Sequence, residues 1–175
     1  MVFRVAFAWL LALSPVAASA SILNYNGQCV PFARAASGVQ IYGDAWTWWG
    51  QADGRYRRGS TPRVGAVIAF ARSAKLQLGH VAVISRVVED RVLMITHANW
   101  SRFDGKRGKV EQDVTVFDVS PDNDWSEVRV WYRGIEGLGG SVYPVHGFIY
   151  GSNAAAELTA ANPDYVGSLI DAYAR

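Results

Sequence analysis

The segment that decides the fold spans residues 24–38 and reads NYNGQCVPFARAASG. Pro31 lacks a backbone N–H and so suits the first turn of a helix, where that donor has no partner within the helix. Alanine and arginine then favour helix, and Gly38 suits the position just past its end. The pattern therefore places Cys29 at or just before a helix N-terminus. Unpaired amide donors and the helix dipole favour a thiolate there, the form in which cysteine acts as a nucleophile.

Composition indicates one globular domain with no polyanion-binding character. The chain has 175 residues, half of them hydrophobic, and a formal net charge of +2. This length and apolar content suffice for one real core, and the small charge without a basic cluster gives little support to a nucleic-acid role. Seven tryptophans and eight tyrosines are many for this length. They fit either a buried core or an aromatic-lined groove for sugars or peptides.

Residues 1–20 have the three-part pattern of a secretory signal peptide. Arg4 precedes an apolar run at 5–13 that is too short to span a bilayer, and Ala18-Ser19-Ala20 fits the small-x-small cleavage rule. A buried core helix is the alternative reading. Cleavage after Ala20 removes one of 17 basic residues, which leaves 16 against 15 acidic residues. We expect export to the periplasm or the extracellular cell envelope, without stable membrane insertion after cleavage.

Cys29 is the single cysteine of the chain, so the exported protein has no intramolecular disulfide. Two structural roles for Cys29 are alternatives to a catalytic role. A lipid-modified cysteine is disfavoured because Gln28 is not the small residue that such a site needs. A buried core cysteine stays open on sequence spacing alone.

The remaining chain predicts two early helices followed by strands. Asp44 is a candidate cap for a short helix at 45–52, and the arginine-rich segment 54–62 reads as an exposed loop, solvated or touching an anionic polymer. Residues 101–113 also read as a loop, and residues 151–175 as a loosely docked or mobile tail. Strands are predicted at 65–70, 80–88, 92–100, 114–119, 128–132 and 145–150. We expect an α+β fold in which N-terminal helices pack on an antiparallel sheet of about six strands.

Three polar residues converge if the strands at 80–88 and 92–100 form a hairpin. His80 opens the first strand, and His97 and Asn99 end the second, two positions apart and so on one face. Antiparallel pairing then brings His80 beside His97 and Asn99. A cysteine nucleophile, a histidine base and a polar orienting group form the arrangement of a thiol hydrolase.

The motifs that contain these residues resemble the CHAP domain, the cysteine- and histidine-dependent amidohydrolase/peptidase family related to NlpC/P60 hydrolases. The resemblance covers roughly residues 22–150 and rests on NGQCVPFAR, GAVIAF, GHVAVI, HANWS and HGFIY, in that order. It implies a papain-like α+β fold, with Cys29 as nucleophile and His80 as base. Several relatives have Glu where this chain has His97. The third catalytic residue is therefore either His97, as in NlpC/P60 relatives, or Asn99, with His97 ranked first.

The resemblance also implies the remaining site features and the substrate. The backbone N–H of Cys29 is one oxyanion donor by analogy, and Tyr25 or Gln28 is a candidate for the second. No cofactor or metal is expected, since no Asp-x-Asp calcium loop precedes Cys29, although a zinc site built from the chain's three histidines is an alternative.

The implied substrate is an amide bond of peptidoglycan, cut as an N-acetylmuramoyl-L-alanine amidase or as a peptide-stem endopeptidase. An inactive wall-binding module of the same fold, or an amidase for a small non-wall amide, are the alternatives.

Overall fold

The computed structural model describes residues 27–151. The predicted signal peptide, Tyr25 and residues 152–175 of the predicted tail lie outside this range. The first helix, α1, spans Cys29–Ser37, and a 3₁₀ turn at Ala45–Thr47 leads into the short helix α2 at Trp48–Gln51. The strands are β1 (Arg57–Gly59), β2 (Val67–Phe70), β3 (His80–Glu89), β4 (Val92–Ala98), β5 (Val110–Asp118), β6 (Glu127–Tyr132), β7 (Gly137–Leu138) and β8 (Tyr143–Tyr150).

The first helix forms as its residues predict. It begins at Cys29, holds Pro31 in its first turn and ends at Gly38, whose φ of 72° lies in the left-handed region. The Gly38 N–H donates to the carbonyl of Arg34, which satisfies one of the last helical acceptors. At the second helical segment, Asp44 occupies the predicted cap position, but its side chain makes no capping hydrogen bond.

The sheet closes into a six-stranded antiparallel barrel. The strand order is β1-β8-β2-β3-β4-β5-β6-β7, and β6 also pairs with β8, so that β8, β2, β3, β4, β5 and β6 form a ring. The expectation of N-terminal helices packed on an antiparallel sheet of about six strands is thus correct for the antiparallel pairing, but it did not include the closure of the sheet into a barrel. The ring depends on pairing between residues as distant in sequence as Val67 and Ile149, which local periodicity does not encode.

The strand β2 and the first six residues of β3, 80–85, are buried on both faces. Val67, Ala69, Val81 and Val83 pack under the helices, while alternate residues such as Ile68 and Ala82 fill the barrel interior. This explains why residues 67–70 and 81–84 are continuous apolar runs and do not alternate with polar residues. The helix α1 packs on β3 and β4, and this contact brings Cys29 to the start of β3.

Two segments predicted as loops contain strand residues. The strand β1 lies within 54–62 and pairs with β8, and β5 begins at Val110, inside the segment 101–113. The strand residues inside these segments, 57–59 and 110–113, have largely polar side chains and are held by backbone pairing. No helix within residues 27–151 is long and apolar enough to cross a membrane.

Candidate active site

Cys29 lies at the first residue of α1, as predicted, and lines a cleft of about 750 Å³ together with His80 and Asn99. Its side chain is 9% exposed. The Cys29 sulfur also interacts with the backbone amide of Val81, the residue after His80 on β3. The thiol therefore sits at the junction of α1 and β3, at the edge of the cleft.

Burial changes the protonation state expected for Cys29. Desolvation raises the pKa of the Cys29 thiol above its ordinary value, while the backbone amides of Val81, Val30 and Cys29 itself lower it by less. The prediction that the helix N-terminus makes this residue a resting thiolate is therefore wrong. The amides reduce the effect of burial but do not outweigh it, so the thiol needs a base to remove its proton.

His80 and His97 form a buried pair, and His80 lines the same cleft as Cys29. The Nε2 atom of His80 lies 3.0 Å from the Nδ1 atom of His97, which is hydrogen-bond distance. His80 is 4% exposed and His97 is inaccessible. The predicted β3–β4 hairpin is confirmed, with Val83 opposite Thr96 and Ile84 opposite Ile95. The hairpin thus brings the two rings together as topology predicted.

Gly79 fixes the position at which His80 enters the sheet. Its φ is +66°, and a Cβ at this position would lie 2.8 Å from the backbone nitrogen of Trp46 and 3.0 Å from the carbonyl oxygen of Phe70. Both neighbours are backbone atoms that cannot rotate away. Only glycine therefore fits before His80 without displacing the start of β3.

Aromatic rings enclose the histidine pair. Trp100 lies 4.9 Å from the His80 ring and stacks on His97 at 5.4 Å and 29°, while Phe70 meets His80 edge-on at 5.6 Å. These apolar walls keep water from the imidazole pair and hold the two rings in orientation. Trp100 follows Asn99 in the HANWS motif, but sequence alone gave no reason to assign it to the site.

Both buried histidines are neutral at physiological pH. Burial, together with the positive charge of Arg107, lowers the pKa of His80 from 6.5 to about 3. Burial also lowers the pKa of His97 well below its ordinary value, and His80 adds to this effect. A neutral imidazole has one unprotonated ring nitrogen, so His80 is able to accept a proton from a thiol.

Asn99 contacts a different partner. The strand β4 ends at Ala98, and Asn99 has a φ of 68°, so the strand alternation that would align it with His97 stops one residue earlier. Its Nδ2 atom donates to Oε1 of Gln28 at 2.7 Å. Asparagine adopts the left-handed conformation more readily than most residues, which explains its place here. Of the two proposed third residues, His97 is the one hydrogen-bonded to His80.

Gln28 and Asn99 both line the cleft beside Cys29. Their amide pair links the residue before the helix to the end of β4, and so fixes the entrance next to the thiol. The other oxyanion candidate, Tyr25, lies outside the described residues.

The third histidine lies in a different pocket. His146, on β8, stacks against Trp49 with a centroid separation of 5.9 Å and lines a second pocket with Arg58 and Asp53. Among residues 27–151, no group of three His, Cys, Asp or Glu side chains is arranged to hold a metal ion.

A cysteine at a helix N-terminus, beside a neutral and buried histidine that is oriented by a second histidine, is a site equipped for thiol-dependent acyl transfer. The family model described as "CHAP domain" matches residues 20–99, which are 80 of the 175 residues. This match confirms the resemblance to the CHAP family that the motifs indicated, and its span includes Cys29, His80, His97 and Asn99. Members of this family are generally cysteine- and histidine-dependent amidohydrolases or peptidases, and the family indicates a peptidoglycan hydrolase type of function. No curated protein matches the chain.

Proposed function

We propose that the protein is an exported thiol hydrolase that cleaves amide bonds of peptidoglycan in the bacterial cell envelope. The observation that carries this proposal is the cleft that contains Cys29 and His80, together with the hydrogen bond between His97 and Nε2 of His80. Each of the three residues takes a distinct role in acyl transfer: nucleophile, base and orienting group.

The first half of the reaction forms a thioester. Because Nε2 of His80 is engaged with His97, Nδ1 is the nitrogen available to the thiol of Cys29. His80 Nδ1 accepts the thiol proton while the sulfur bonds to the carbonyl carbon of the substrate. Developing negative charge on the carbonyl oxygen is stabilised by backbone N–H groups at the start of α1, among them that of Cys29. Cleavage of the C–N bond follows, with the proton on His80 transferred to the departing amine.

The second half regenerates the enzyme. A water molecule attacks the thioester carbonyl and gives one proton to His80 Nδ1. The C–S bond then breaks, the carboxylic acid product leaves and the proton returns to the sulfur of Cys29. The low pKa makes neutral His80 a weak base and its imidazolium form a strong acid, so the imidazolium, once formed, gives its proton readily to the amine or the sulfur.

The charge of the cleft is compatible with a peptide that contains carboxylates. Arg34, Lys75 and Arg107 line the cleft, and Asp44 is the one acidic residue among its lining residues. Tyr42 and Leu78 add exposed apolar surface at the same cleft. Peptide stems of peptidoglycan carry free carboxylates beside short aliphatic side chains, and both features have counterparts here.

Digestion of purified sacculi tests the proposal. The mature protein is expected to release soluble fragments, and the Cys29→Ala variant is expected to release none while keeping the wild-type circular dichroism spectrum. Mass spectrometry of the fragments identifies the bond, because an amidase frees intact stem peptides from the sugar chains and an endopeptidase shortens the peptides. Binding of wild-type protein to sacculi without any product would favour an inactive wall-binding module and contradict the proposal.

A further inference from the structure

A buried carboxylate on the neighbouring strand faces the histidine pair. Glu111 on β5 is buried and is the direct cross-strand partner of His97 on β4. Its Oε1 atom lies 3.9 Å from Nε2 of His97, the ring nitrogen that does not contact His80. Both side chains are almost completely inaccessible, at 0% for His97 and 1% for Glu111.

A bulge in β5 turns Glu111 toward His97. Between the pairs Ile95–Val114 and His97–Glu111, β4 contributes one residue, Thr96, and β5 contributes two, Gln112 and Asp113. Asp113 adopts a φ of 51°, the left-handed conformation typical of many bulges. With regular alternation from the buried Val114 and Val116, Glu111 would lie on the opposite face. The extra residue reverses the alternation and buries the carboxylate.

The carboxylate is held in place from its other side. The backbone N–H of Ser101 donates to Oε1 of Glu111 at 2.7 Å. Within the described part of the chain, neither Oε2 of Glu111 nor Nε2 of His97 has a hydrogen-bond partner. Because a buried polar group without a partner is costly, the persistence of one such atom on each of these two facing side chains indicates a role beyond packing.

We propose that Glu111 is a positioning residue that selects the tautomer of His97, and through it the tautomer of His80. The inference rests on the proposed function for the role of the His80 base. A carboxylate facing Nε2 of His97 attracts an N–H and repels a lone pair, so the His97 proton resides on Nε2. The Nδ1 atom of His97 is then an acceptor, and it takes the N–H of His80 Nε2. That leaves Nδ1 of His80 without a proton and ready for the thiol of Cys29.

The opposite tautomer would stop the reaction. With its proton on Nδ1, His97 donates to Nε2 of His80, and the single proton of neutral His80 then sits on Nδ1. Such a ring presents a donor where the thiol needs an acceptor. One negative charge about 4 Å from the ring nitrogen is strong enough, even at an effective dielectric constant of about 20, to bias this choice by more than tenfold.

The tautomers are measured directly by ¹⁵N NMR of the histidine rings at neutral pH. The chain has three histidines, and a His146→Gln variant identifies the two buried ones. The expected spectrum of the wild type shows His97 and His80 both protonated on Nε2 and unprotonated on Nδ1. A proton on Nδ1 of His97 would overturn the inference. This readout requires neither a variant at Glu111 nor any substrate, so it stands whether or not sacculi are cleaved.

The Glu111→Gln variant tests the consequence for catalysis. The amide keeps the size of the side chain and an acceptor for Ser101, but removes the charge. We expect kcat on sacculus fragments to fall by about tenfold to a hundredfold with KM unchanged, because Glu111 does not line the cleft. The His97 signals should shift toward a tautomer mixture. The matched control is Glu89→Gln, the same change at the exposed end of β3, about 30 Å along the strand from His80, which should keep wild-type kcat.

Two results would contradict the role of Glu111. One is a folded Glu111→Gln protein with wild-type kcat and wild-type histidine spectra. The other is a loss of activity without any change of tautomer, which would make Glu111 a purely structural residue. Failure of the proposed function has a different signature, since wild-type protein would then release no fragments while its histidine tautomers remain as described.

Discussion

Two histidine sites of this molecule make an informative contrast. His80 is buried, hydrogen-bonded to His97 and enclosed by Phe70 and Trp100, whereas His146 is exposed and stacked on Trp49 in the second pocket. Burial lowers the pKa of both, but only that of His80 falls as far as about 3. Desolvation is therefore much stronger at His80 than at His146. The hydrogen-bonded second ring and the adjacent cysteine separate the first site from the second.

The largest expected difference between the two sites is in activity. Replacing His80 by Gln removes the proposed base, and kcat on sacculus fragments should fall by about 10²- to 10⁴-fold, the usual contribution of general acid–base catalysis. The His146→Gln variant should keep wild-type kcat, because His146 lines the other pocket. Comparable losses of kcat in both variants would show that the two histidines do not differ in their importance for activity.

Acid stability sharpens the same comparison. The folded-state pKa of His80 is about 3, below its ordinary value of 6.5. Between these two pH values the histidine of the unfolded chain binds a proton and that of the folded protein does not. The free energy of unfolding should therefore fall as pH falls from 6.5 toward 3, by about 3 kcal/mol between pH 6.5 and pH 4 for His80 alone. Burial of His97 acts in the same direction.

Thermal unfolding as a function of pH measures this effect. The His80→Gln variant should have a flatter profile than the wild type over the window, and His146→Gln should follow the wild type closely. Identical acid dependence in the wild type and His80→Gln would show that His80 is not held neutral by the fold.

A smaller effect distinguishes the two residues proposed to orient His80. His97→Ala removes the hydrogen bond to the His80 ring and should lower kcat by about tenfold or more, since a net hydrogen bond contributes about 1 kcal/mol and its loss leaves a buried donor or acceptor unpaired. Asn99→Ala breaks the contact with Gln28 at the cleft entrance and should affect KM more than kcat. Kinetics of both variants on one substrate make the comparison, and equal wild-type kcat values would reject both as orienting residues.

The parts of the fold that sequence predicted are those set by local chemistry. Pro31 and Gly38 bracket α1, and the β-branched run at 80–88 with its return at 92–98 forms the predicted hairpin. Short-range patterns were enough to predict that His80 and His97 lie together, because the turn between β3 and β4 is only two residues long.

The parts that sequence did not predict depend on long-range pairing or on burial. The barrel needs β8 to pair with the distant strand β2 as well as with β6, and β1 forms from an arginine-rich segment through backbone bonds to β8. Glu111 was missed because it falls in the segment 101–113 that was predicted as a loop, and because the bulge at Gln112 and Asp113, which turns it toward His97, is not visible in the sequence. The protonation state of Cys29 was misjudged because a helix N-terminus is visible in sequence, whereas desolvation of the sulfur depends on packing.

The central claim, that Cys29 is the nucleophile, is tested most directly by chemical modification of the wild-type protein. Because the chain has a single cysteine, iodoacetamide modifies one thiol, and intact-mass spectrometry gives the modified fraction. The account predicts that the rate of fragment release from sacculi falls in proportion to the modified fraction and reaches zero when every molecule is modified. Fully modified protein that still releases fragments at the wild-type rate would contradict it.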